Sequence, residues 1–213
     1  MKYDLLSFQI NCYMEQKRDI IPYFPLSVFL FPGEDIPLRI FEPRYKQLIE
    51  DARTSGITFA IPFVIEQDIQ EIGCEVRLKD VVAENPGGRM VITVESVAIV
   101  KIISFSKQLE GKLYAGGAIR RMPCSDPLEG EELKELIANY SDQFDKDFLS
   151  LCEGSDITLQ DVMKALNLSS DDKFRFACMH DGEQKEGYLA GQLRYLRMIR
   201  KQETQLGNDF GLN

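Results

Sequence analysis

The sequence predicts an α+β fold, a small closed or half-closed β-barrel over residues 20–124 followed by a helical bundle over 125–213, with residues 1–19 as an N-terminal extension. Three observations predict it. The first half is made of short apolar or alternating runs separated by turn signals, the pattern of strands. The second half changes to apolar spacings of three and four, the pattern of helices. Between them Pro123, Pro127 and Gly130 cluster and break both patterns.

In chain order, Ile36–Phe41 and Phe59–Ile65 are apolar runs of strand length. Between them Pro43 suits a first helical turn, Tyr45, Leu48, Ile49 and Ala52 recur at helical spacing, and Gly56 is a stop. Cys74–Val81 begins with alternation, the mark of a strand with one wet face. Asn85-Pro86-Gly87-Gly88 is a turn that makes a hairpin of this segment and Met90–Glu95. Further strands are expected at Val97–Phe105 and, after Gly111, at Leu113–Arg120. Such a series of short strands suits a barrel. In the second half, Leu133, Leu136, Ile137, Tyr140, Phe144, Phe148 and Leu151 form one stripe of a helix over 131–151. Thr158-x-x-Asp161 and Ser169-x-x-Asp172 are helix-capping patterns, and a last helix is expected over about Glu186–Gln205.

The bulk numbers exclude several classes. Hydrophobic content of 44% and charged content of 28% fit a soluble globular chain, and no apolar run approaches the roughly 20 residues that span a bilayer. An acid at Asp4 and a polar stretch to Glu15 do not make a signal peptide, so a cytoplasmic location is expected. Net charge is −9, and it is uneven: residues 1–125 hold 15 Lys+Arg against 16 Asp+Glu, whereas 126–213 hold 10 against 18. That balance disfavours nucleic acid as a partner, because its binding rests on phosphate neutralisation. Cys12, Cys74, Cys124, Cys152 and Cys178 are scattered without a Cys-x-x-Cys pair and read as reduced thiols. With His180 as the sole histidine, neither a metal centre nor a Cys–His nucleophile is expected, and no cofactor. Asp142, Asp145 and Asp147, with Glu131, Glu132 and Glu135, lack the loop glycine of a calcium site and read as a solvated face. Arg194, Arg197, Arg200 and Lys201 make a basic stripe on the last helix, suited to solvent, to an acidic partner or to the acidic 129–147 helix of the same chain.

The most specific stretch is Ile21–Tyr45, with Pro22-Tyr23-Phe24-Pro25-Leu26, Phe31-Pro32-Gly33 and Leu38-Arg39-Ile40-Phe41-Glu42-Pro43-Arg44-Tyr45. It resembles the opening of the Lon protease N-terminal, substrate-binding domain family, well over residues 20–122 and in outline beyond. The resemblance implies a PUA-like β-barrel followed by helices, and a non-catalytic module that captures unfolded or exposed polypeptide segments, in a quality-control setting and with self-association allowed. The chain carries no Gly-x-x-x-x-Gly-Lys-[Ser/Thr] loop, so no ATPase motor is expected, and no peptidase domain with a Ser-Lys dyad. The alternatives are a PUA-like RNA-binding module, using Arg77, Lys79, Arg89, Arg120 and Arg121, or a scaffold acting with a separate protease.

Within the motif, Pro32-Gly33 is a turn pair. Arg39, Glu42 and Arg44 either form an internal ion-pair network or edge a groove in which an Arg fork meets a peptide. Phe24, Phe29, Phe31 and Phe41 are expected in the barrel core, with one or two left to line an apolar groove. The peptide-binding candidates are Phe31, Pro32, Arg39, Phe41, Glu42, Arg44 and Tyr45.

Overall fold

A computed structural model describes residues 19–141, 144, 148, 149, 152 and 157–210, with side chains described through residue 202. Cys12, most of the 1–19 extension, and Asp142, Asp145, Asp147 and Leu151 of the sequence-based expectations lie outside these residues.

Six strands form one sheet: β1 (Asp19–Tyr23), β2 (Asp35–Ile40), β3 (Phe59–Ile65), β4 (Asp68–Glu84), β5 (Met90–Ile102) and β6 (Ala115–Met122), in the order β2-β5-β4-β3-β1-β6. A further β5–β6 pairing closes β5, β4, β3, β1 and β6 into a ring, which is the expected barrel. Closure depends on the length of β5. One edge of its first half, through Glu95, pairs with β2, and Ile99–Ile102 pair with β6. Residues 90–95 and 97–105 are therefore not two strands, as the alternation suggested, but one continuous strand ending at Ile102. Ser96 sits where the partner changes: its N–H donates to the Glu34 carbonyl, its carbonyl accepts from Gly33, and its hydroxyl donates to the Leu30 carbonyl. β4 also starts earlier than expected, at Asp68, and β1 carries no strand pattern of its own. Its five residues are held by pairing with β6 and a short parallel contact with β3.

The β3–β4 hairpin turns on Glu66 and Gln67, since Ile65 pairs with Asp68. Their φ values of 49° and 81° place two non-glycine residues in the left-handed region. A two-residue hairpin turn of this kind prefers Asn-Gly. Replacing both, E66N/Q67G, is expected to stabilise the fold by about 1 kcal/mol, read as a higher urea midpoint with unchanged m-value.

Helix α1 (Pro43–Ser55) begins on Pro43, buries Tyr45, Leu48, Ile49 and Ala52, and stops where Gly56 adopts φ 65° and donates its N–H to the Ala52 carbonyl. Its buried face packs into a core with Phe24, Phe59, Ile61, Val76, Ile92 and Val94. The second half contains α2 (Glu131–Asn139), α3 (Leu159–Ala165), α4 (Ser170–Cys178) and α5 (Gly182–Phe210). α2 ends well before Leu151, with Tyr140 as its C-cap. α5 is longer at both ends than its apolar periodicity suggested. Both capping patterns form: Thr158 and Asp161 make a reciprocal capping box, and the Ser169 hydroxyl accepts from the Asp172 N–H. Among the described residues, no helix is long and apolar enough to cross a membrane.

The helices do not have a core to themselves. Phe29, Phe31, Phe63 and Ile99 from the barrel pack in one cluster with Leu133, Ile137, Leu159, Val162, Phe176, Leu189 and Leu193. Phe29 and Phe31 meet Phe63, Phe174 and Phe176 edge-to-face, with ring centroids 5.8 Å apart in each case. A second tie is ionic: Lys173 Nζ on α4 donates to Glu34 Oε1 at 2.5 Å, and the other Glu34 oxygen accepts the Phe31 N–H at 2.7 Å.

Candidate functional site

The Ile21–Tyr45 motif divides into a structural part and an exposed part. Its Phe31-Pro32-Gly33 portion is structural. Phe31 to Glu34 make a β-turn closed by the Glu34 N–H on the Phe31 carbonyl, with Pro32 and a Gly33 at φ 87° as central residues. The turn faces inward, Gly33 bonding to Ser96 of β5, and Phe31 is 1% exposed against α4. Pro32 is half-buried on this turn. Phe31 is thus almost fully covered; the motif residues that open onto the larger cavity lie at the far end of β2.

There Arg39, Ile40 and Phe41 of the β2 end meet Ala83, Glu84 and Asn85 at the end of β4, and Arg89, Met90 and Val91 at the start of β5. Together they line a groove of about 510 Å³. Cross-strand pairing sets the arrangement: Arg39 is opposite Val91, and Val91 is opposite Ala83. The Asn85–Gly88 turn holds the tip. The Asn85 side chain accepts from the Gly87 and Arg89 N–H groups, and Lys46 of α1 donates to the Gly87 carbonyl. Phe24, Phe29 and Phe31 are core, as expected, but Phe41 is 63% exposed on the groove wall, with Val82 exposed nearby. A large apolar ring left in water beside a concave surface marks a contact site more strongly than a scattered exposed aliphatic does.

The three charges of the motif part company. Arg44 donates from Nε to Glu42 at 2.8 Å, and its guanidinium lies 4.5 Å from the centre of the Tyr45 ring. Tyr45 is buried and stacks on Phe24 at 3.9 Å. Burial pushes the Tyr45 hydroxyl above its ordinary value, with Arg44 pulling the other way. Glu42, Arg44 and Tyr45 therefore brace the start of α1. Arg39 belongs to neither partner. Among the described residues neither Arg39 nor Arg89 has a hydrogen-bond or ion-pair partner for its guanidinium, and both line the groove.

Arg89, Ala83, Asn85 and Val91 were not among the sequence-derived peptide contacts. The available signal was the Asn85–Gly88 turn, which announces a hairpin, but nothing local says that its tip lies beside β2. Of the five basic residues that an RNA surface would use, Arg77 pairs with Glu95, Lys79 with Asp35, and Arg121 with both Glu75 and Asp19. The basic stripe of α5 meets its own chain in part, with Arg194 on Glu132 of α2 and Arg197 over the Tyr140 ring at 4.0 Å.

A smaller cavity of about 170 Å³ lies at the barrel–helix junction, lined by Phe31, Cys124, Asp126, Gln160, His180 and Lys185 among others. Asp126 there accepts from both Gln160 and Lys185. Burial raises the Cys124 thiol to about 11, far from a reactive thiolate. Among the described residues, no group of three or more His, Cys, Asp or Glu side chains could hold a metal ion.

Residues 20–205 match the family model of the ATP-dependent protease La (LON) substrate-binding domain. Among solved structures, the chain is similar to a Lon N-terminal domain protein from Xanthomonas campestris, with 20% identity over 81% of this chain and 98% of that one and a TM-score of 0.61. It is also similar to the N-terminal domain of Mycobacterium avium complex Lon protease, with 17% identity over 84% and 96% and a TM-score of 0.47. At 20% identity, the likeness to the first of these speaks to the fold alone. No curated protein matches the chain.

Proposed function

Because the chain belongs to the LON substrate-binding domain family, we propose that it is a non-catalytic polypeptide-recognition module and that the groove between the β2 end and the β4–β5 hairpin is its contact surface. The observation that carries this reading is Phe41, 63% exposed on the wall of a groove of about 510 Å³. The ring offers an exposed apolar segment something to bury against, and the hairpin supplies the opposite wall. Family membership supports the class of partner; the geometry supports the place. Unfolded or locally exposed segments are the substrates, since only they present apolar side chains and unpaired backbone together. Selection of such segments for proteolysis or quality control is the corresponding role. The ion pairs that occupy Arg77, Lys79 and Arg121 weigh against the RNA reading, which would need them free.

Phe41→Ser is expected to weaken binding of a denatured model polypeptide by about tenfold, the range of an anchoring aromatic. It should leave stability within about 0.5 kcal/mol, because the side chain is exposed. Fluorescence anisotropy with a labelled, reduced and carboxymethylated protein checks the first, and urea unfolding the second. Unchanged binding in a folded Phe41→Ser variant would remove the groove from the mechanism. No binding of wild-type protein at about 100 μM would remove polypeptide recognition itself.

A further inference from the structure

We propose that an extended segment adds as a strand along the open edge of β2, beside the groove, with an Asp or Glu side chain of that segment reached by Arg39 and Arg89 from the groove and an apolar side chain two residues away packed on Phe41. The inference rests on the polypeptide-recognition reading above and names the chemistry of the occupant.

Three features of β2 lead to it. First, β2 ends the sheet, paired with β5 on one side and with no described strand on the other. Second, Pro37 sits within it, opposite Thr93. Proline has no N–H to give, so its backbone faces away from β5 in an antiparallel ladder. Backbone direction alternates along a strand, so the N–H and C=O of Arg39, two residues on, face the open side as well. Among the described residues, no turn, loop or cap hydrogen bond uses either group. These groups are what an added strand needs, and Pro37 limits the ladder to a short stretch centred on Arg39. Third, the charge at that stretch is one-sided. Arg39 and Arg89 both line the groove without a partner, and the groove's one acid, Glu84, has Arg53 at 3.9 Å.

The same geometry selects the source of the carboxylate. A residue added opposite Arg39 presents its side chain to the Arg39 side chain as a cross-strand neighbour, where opposite charges attract. That favours an acidic side chain within the segment over a chain terminus. Because side chains alternate faces, the neighbour of Phe41 is two residues from the neighbour of Arg39. The selected pattern is an acid and an apolar residue spaced i, i+2.

The test uses the full chain and labelled ten-residue peptides in an inert Gly/Ser background, amidated and acetylated, read by anisotropy at fixed ionic strength. A Leu-x-Glu peptide is expected to bind about fivefold tighter than Leu-x-Gln, the upper end of an exposed ion pair. Arg39→Gln and Arg89→Gln should each erase that difference between the Glu and Gln peptides. Moving Glu next to Leu, or N-methylating the backbone of the Glu residue, should abolish the gain. Equal binding of the Glu and Gln peptides to wild type would overturn the inference while leaving polypeptide recognition standing. A gain that needs a free C-terminal carboxylate and not the Glu side chain would overturn it in favour of chain-end capture. A single-stranded RNA oligonucleotide that outbinds every peptide and depends on Arg39 would overturn it in favour of a phosphate site. Failure of every peptide to bind would overturn this inference and the reading beneath it together.

Discussion

Phe31→Ala is expected to lower the unfolding free energy by about 3–5 kcal/mol, measured by urea denaturation at neutral pH. The ring is 1% exposed and joins Phe29 and Phe176 edge-to-face. Its removal leaves a void walled by both the barrel and α4, where neither side can close in without breaking its own hydrogen bonds. The Phe31 backbone is pinned at both polar groups, N–H to Glu34 and carbonyl from Glu34, so the turn cannot shift to fill the gap. Barrel and helices share this cluster, so one transition is expected for both, displaced to lower denaturant. A loss below about 1 kcal/mol would show that the junction is looser than the packing implies. Phe31→Leu keeps most of the volume and should recover more than half of the loss.

Lys173→Met is the second large effect, again about 3–5 kcal/mol. The Lys173 side chain is 8% exposed, and its ammonium lies 2.5 Å from Glu34 Oε1. Methionine replaces the alkyl stem well, so packing is largely kept. What is lost is the counter-charge of a carboxylate that is itself mostly covered, left with the Phe31 N–H as its remaining donor. The Glu34→Gln/Lys173→Met double variant removes both charges yet keeps an acceptor for Phe31. It should recover at least half of the loss. A double-mutant cycle measures the coupling directly, and additive single effects would contradict the pair as described. The two predictions bear on one joint from two sides, apolar at Phe31 and ionic at Lys173.

Much of the fold was legible locally. Pro43, the Tyr45–Leu48–Ile49–Ala52 spacing and Gly56 outline α1 to the residue, because start, face and stop of a helix are written within one short window. Thr158 with Asp161 and Ser169 with Asp172 were readable for the same reason. β1 was not, since its pairing partners lie about 40 and 95 residues away and it has no alternation of its own. The Glu66-Gln67 turn was invisible because it uses neither Asn nor Gly. At the candidate site, Arg39 and Phe41 were singled out from the motif, but Phe31 and Tyr45 were grouped with them although both are buried. Sequence proximity within 31–45 hides the fact that the stretch turns from the helix junction to the opposite end of β2.

Fold class and family motif could be read from the chain alone, because hydrophobic period, caps and turn residues act over a few positions. Which motif charges pair and which stay open depends instead on how distant strands meet. Glu42 and Arg44 satisfy each other across two residues, whereas Arg39 shares a groove with Arg89, fifty residues on, because the β2–β5 register sets Arg39 opposite Val91. That register is set when β5 is shared between β2 and β6, and closing the ring is a long-range event that no local pattern encodes.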